Sequence, residues 1–133
     1  MLVLRNVPFI LFTESSGSGD MSLNLQIRTE ALELLEKIEE ICSKIHILLT
    51  QGTQVSSEII HELFRNIHTL KSLTHMADLK LLASAIHEAE DLLDIIRSEK
   101  ICISFEIVEF LSDLERVCEM VFAQSYFYVC MYF

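Results

Sequence analysis

LNLQIRTEALELLEKIEEICSKIHILL, residues 23–49, carries a long helical pattern that points to an α-helical fold. Ile27, Ala31, Leu34, Leu35, Ile38, Ile41, Cys42, Ile45 and Leu48 recur at steps of three and four, which places them on one face of a helix. Between them stand Glu33, Glu36, Lys37, Glu39, Glu40 and Lys44, so the other face is charged. The run Glu36, Glu39 and Glu40 reads as a solvated face that keeps the chain soluble. A helix of this length with one apolar stripe must bury that stripe against other helices or a sheet.

Outward from this segment the same pattern returns three times. Gln51-Gly52-Thr53 breaks the first helix, and Ser56 or Ser57 can cap a second with the stripe Ile60, Leu63, Phe64, Ile67 and Leu70. A third is expected from about Asp78 to Ser98, with Leu82, Ala85, Ile86, Ala89, Leu92, Leu93 and Ile96 inward. Ser104 caps a fourth, whose apolar face is Ile107, Val108, Leu111, Leu114, Val117, Cys118 and Val121. Four amphipathic helices with short connections predict an all-α fold, an antiparallel four-helix bundle, with a short extra C-terminal helix as an option. Composition agrees, since 3 Gly and 1 Pro in 133 residues leave little material for tight turns.

The ends read differently. Glu14–Asp20 (ESSGSGD) is a Ser/Gly linker, so residues 1–20 are expected to be a tail and linker, residues 21–124 the bundle, and residues 125–133 an aromatic tail to which no structure is assigned. Met1–Phe12 is apolar, but Arg5, Asn6 and Pro8 interrupt it and it is too short to span a bilayer. With 20 acidic against 10 basic residues and a net charge of −10, the surface repels nucleic acid and anionic lipid alike, so neither is an expected partner. Cys42, Cys102, Cys118 and Cys130 show no CxxC spacing, and the first three fall in apolar stretches. Reduced, mostly buried thiols in a cytoplasmic protein are therefore expected.

The chemistry concentrates on the second and third helices. His68 lies roughly 115° from the mean direction of its helix's stripe at about 100° per residue, hence at the solvent edge. Lys71 sits one turn on, where its ammonium can meet the oxygens of a phosphoryl group carried by His68. A hairpin centred near Ala77 brings His68 opposite His87, and Glu90 follows one turn later, within reach of a ring nitrogen of either histidine. A carboxylate that holds one imidazole nitrogen protonated leaves the other as a nucleophile of raised basicity.

On these residues the chain resembles a known family. Leu63-Phe64-Arg65-Asn66-Ile67-His68-Thr69-Leu70-Lys71-Ser72 is similar to the phosphorylation motif of histidine phosphotransfer domains, in particular the amino-terminal domain of CheA-type chemotaxis histidine kinases. The likeness continues through Leu82–Asp94, where the family has a second His 19 residues and a Glu 22 residues after the phosphorylated one, positions held here by His87 and Glu90. The resemblance implies that His68 is the phosphoacceptor, that Lys71 neutralises the phosphoryl group, and that His87 and Glu90 tune the acceptor by hydrogen bonding. It implies as partners a histidine kinase's ATP-binding domain and a response regulator's receiver domain, with the chain a phosphocarrier rather than an enzyme. The family usually has Gly directly after the Lys, where this chain has Ser72.

Two histidine spacings suggest metal binding, and neither completes a site. His61, His68 and His75 repeat every seven residues, a rise of about 10.5 Å that no single ion bridges. Glu58 and His61 match one half of a di-iron motif whose second half is missing. No metal, no cofactor and no independent catalytic site are expected. A helical module that docks a kinase or regulator without being phosphorylated remains the alternative function.

Overall fold

The computed structural model describes residues 21–98 and 100–132, with side chains described over 25–98 and 100–123. The described residues form four helices, α1 (Met21–Thr50), α2 (Ser57–Met76), α3 (Lys80–Arg97) and α4 (Phe105–Tyr132), and no strand. α2 packs most extensively on α3, α1 on α4 and α1 on α2, while α3 barely touches α4. The result is the antiparallel bundle expected from the four stripes.

Each boundary has a local cause. α1 ends where Gly52 takes φ +70°, with Thr53 N–H donating to the Leu48 carbonyl and Gly52 N–H to that of Leu49, a left-handed cap that only glycine adopts without cost. Ser56 caps α2 through its side-chain oxygen, which accepts from Ile59 N–H, and Ser104 does the same for α4 by accepting from Ile107 N–H. The turn from α2 to α3 repeats the α1 cap with an aspartate: Asp78 has φ 59°, its N–H donates to the His75 carbonyl, and Leu79 N–H donates to that of Thr74. Because Asp78 is left-handed it cannot begin a helix, so α3 starts at Lys80, two residues later than its stripe suggested.

The stripes form one core. On α1 all the expected residues except Leu48 are buried. α2 adds Leu73 and Thr74 to its expected set and leaves Phe64 half-buried. On α3 Ala83 and Glu90 are buried while Ala85 and Leu92 are only partly covered, and on α4 Glu115 and Phe122 join the core. Cys42 and Cys118 are buried as expected, whereas Cys102 is exposed because it lies in the α3–α4 connection rather than on a helix stripe. Burial pushes the Cys42 thiol up to about 11, and Cys118 higher still, so both stay protonated. α4 runs unbroken through residues 125–132, so the tail continues the fourth helix and forms no separate fifth one. Residues 1–20, and with them the linker expected at 14–20, lie outside the described residues.

Candidate functional site

His68 emerges from α2 at its boundary with α3, its side chain 57% exposed. Its position follows from the helical period: Ile67 and Leu70 on either side point into the core, which turns His68 outward. Across the interface, Glu90 occupies a core-register position on α3, between Ile86 and Leu93, and is buried despite its charge. A buried carboxylate must be partnered. Glu90 has two partners from α2: His68 Nδ1 lies 2.5 Å from Oε2 and Lys71 Nζ lies 2.7 Å from Oε1. His87, exposed on the same helix as Glu90, stands at the rim with Nδ1 3.8 Å from Glu90 Oε1 and Nε2 3.6 Å from Asp91 Oδ2.

The charge state of Glu90 fixes the histidine tautomer. Burial pushes the carboxyl up, but hydrogen bonds from Lys71 and His68, with their positive charge, outweigh it and hold Glu90 below the usual carboxylate range. An ionised carboxylate only accepts, so His68 Nδ1 must carry the proton and donate it to Glu90. In the neutral ring the lone pair then resides on Nε2. Sequence reasoning left open which imidazole Glu90 would hold; the geometry places it on His68.

The surrounding contacts limit how the ring can move. Phe64, one turn back, lies nearly parallel to the His68 ring at 14°, with centroids 6.3 Å apart. The Arg97 guanidinium covers Phe64 at 3.8 Å from the ring centre and is itself held by Asp94 at 2.8 Å. Thr74 Oγ1 donates to the Lys71 carbonyl at 2.7 Å. Lys71, expected to meet the oxygens of a phosphoryl group, donates to Glu90 and is only 18% exposed. Phe64 was legible only as a stripe residue, and nothing in the pattern marked Arg97 or Thr74.

The Hpt domain family matches residues 26–121, most of the chain and all of the residues just described. The chain belongs to the Hpt domain family. Among curated proteins, it is 31% identical over 94 residues to the chemotaxis protein CheA of Treponema pallidum (strain Nichols), covering 71% of this chain and 11% of that protein. It is 34% identical over 92 residues to the chemotaxis protein CheA of Borreliella burgdorferi, covering 68% of this chain and 10% of that protein. The Hpt chain therefore spans about a tenth of the length of the curated relatives it matches. No solved structure matches it significantly. Among the described residues no helix is long and apolar enough to cross a membrane.

Proposed function

We propose that this Hpt domain carries a phosphoryl group on His68 Nε2, taken from ATP by a histidine kinase's ATP-binding domain and passed to an aspartate of a response regulator. The observation that carries the reading is the Nδ1 contact with an ionised, buried Glu90, which leaves Nε2 as the nucleophile of a half-exposed ring. In the first step the Nε2 lone pair forms a bond to the γ-phosphorus while the bond to the ADP oxygen breaks, giving a phosphohistidine. In the second, an aspartate carboxylate of the regulator attacks the same phosphorus and the imidazole leaves with its electron pair, giving an acyl phosphate.

The neighbours have separate roles. Glu90 orients the ring and stabilises the positive charge the imidazole acquires on attack, as a paired carboxylate does for a catalytic histidine. Lys71 neutralises Glu90 at rest and, one turn from His68, is placed to shift toward the phosphoryl oxygens once they arrive. His87 at the rim completes the polar surround. In this reading the chain acts as substrate and carrier for its kinase. In this reading the working unit spans residues 21–124 and operates in the cytoplasm, where its partners are. The relatives' names, chemotaxis protein CheA, support a chemotaxis-type relay.

The test is incubation of the chain with candidate kinases and ATP, followed by chemical stability of the label. Acid-labile, base-stable phosphate that disappears in His68→Gln and moves onto a response regulator is the expected result. A protein that binds the kinase but never takes up phosphate is the alternative docking module.

A further inference from the structure

A second buried glutamate lies on the other side of the bundle. Glu115 of α4 is 4% exposed, and its Oε1 has no hydrogen-bond partner among the described residues. One turn on along α4 is Glu119, and across the interface on α1 is Glu39, both exposed. Each of the three offers a carboxylate oxygen, and these oxygens lie within 4.8 Å of one another. The other groups near Glu115 do little to offset so much negative charge. Arg116 acts only at a distance and is bonded to Asp113, and the thiols of Cys42 and Cys118 are neutral.

Three carboxylates brought together, one of them buried with an unpartnered oxygen, require a positive charge or a proton. A proton shared between Glu115 and Glu119 is one answer. A divalent ion is the other, and it engages all three carboxylates at once. Hard cations take carboxylate oxygens at roughly 2.3–2.6 Å, a radius that three oxygens at these separations can share, with water filling the outer positions. The absence of nitrogen or sulfur donors from the trio selects against zinc and copper.

We propose that Glu39, Glu115 and Glu119 form a binding site for a divalent cation of the calcium and manganese class, which clamps α1 to α4 on the face away from His68. Sites with few carboxylates bind calcium at roughly 0.1–1 mM, and that range is expected here. The site is independent of the phosphotransfer reading, since it shares no residue with it.

The experiment is thermal unfolding of the full chain at pH 7.5, first in EDTA and then with calcium, manganese or magnesium chloride. It is coupled to manganese-induced broadening of backbone NMR signals. The expected result is a saturable rise in melting temperature of roughly 5–10 °C at cation well above its Kd. Broadening should centre on residues 38–42 and 114–119. Glu39→Gln, an exposed position whose change does not threaten folding, should abolish most of the rise, as should Glu115→Gln. Glu36→Gln, on the solvated face of α1, should keep it. Absence of a saturable rise with all three cations overturns the site, as does a rise that survives in both Glu39→Gln and Glu115→Gln. A melting temperature that depends on pH but not on cation assigns the cluster to a shared proton and equally overturns it.

Discussion

Among the described residues two glutamates are buried, each at a position where its helix's period calls for an apolar residue, and their surroundings make them opposites. Glu90 sits on α3 in the row Ile86, Glu90, Leu93, facing an ammonium and an imidazole from α2 that together hold it ionised. Glu115 sits on α4 in the row Leu111, Glu115, Cys118, facing Glu39 and Glu119. Burial and these neighbouring carboxylates push it up to about 8. Burial alone raises a carboxyl; what stands opposite decides whether it ends as a fixed anion or as a proton holder. The α2–α3 face can therefore polarise a histidine, and the α1–α4 face can respond to protons or cations.

The largest effect on the α2–α3 face is expected from His68→Gln. Phosphate incorporation should fall to background, while the melting temperature should stay near the wild-type value because the side chain is exposed and glutamine can still donate to Glu90. Sustained labelling of this variant would move the phosphoacceptor elsewhere. Next in size is Glu90→Ala, expected to slow phosphorylation about ten- to a hundredfold, as for the loss of an orienting carboxylate. Nitrogen NMR of the His68 ring gives an independent readout: the Nδ1-protonated tautomer should dominate in the wild type and lose its dominance in the variant. Lys71→Ala should also slow transfer but preserve the tautomer, because Glu90 still accepts from Nδ1. If all three proteins show the same tautomer, Glu90 does not govern the ring.

The two glutamates also predict opposite pH dependences of stability. Glu90 is held low in the folded state, so what it contributes is present above the unfolded carboxyl range and is lost as pH falls through the folded value. Glu115 is raised from 4.5 to about 8, so the folded state binds the extra proton between those values and its stability drops as pH rises through that window. In EDTA, Glu115→Gln should therefore stabilise the chain by about 1–3 kcal/mol at pH 8 and by much less at pH 5, measured by denaturant unfolding. Equal effects at both pH values would show that Glu115 does not titrate across this range.

The two faces were not equally legible in the sequence. Helix count, the apolar stripes and the two serine caps follow from period and capping chemistry, which are local. The His68–Glu90 pairing is long-range, yet it was readable because a single short turn joins α2 and α3, so counting outward from Ala77 aligns them. Nothing comparable aligns Glu39 with Glu115, whose helices are joined through the whole of α2 and α3. The burial of Glu115 did leave a signal, a charge in the register of Leu111, Cys118 and Phe122, but a stripe assembled from apolar letters passes over it. Lys71 stands where the sequence put it, one turn from His68, but its resting partner was not legible, because that depends on Glu90 being buried.

The smallest effect expected tests whether that short turn merely joins the helices or also sets the site. Asp78 is held at φ 59°, a conformation that disfavours a residue with a side chain but suits glycine. Its backbone N–H and that of Leu79 already make the two capping bonds a glycine would make, so nothing in the turn needs to move on substitution. Relief of the left-handed strain outweighs the greater freedom glycine has in the unfolded chain, and Asp78→Gly should stabilise the bundle by about 0.5–1 kcal/mol in denaturant unfolding. The phosphorylation rate should not change, because the register that brings Glu90 to His68 is set by the packing of Leu63, Ile67, Ile86 and Leu93, all fully buried. A variant that is more stable but slower to phosphorylate would show that the strained turn helps hold His68 and Glu90 in line, and would make the α2–α3 face dependent on its loop in a way the α1–α4 face is not.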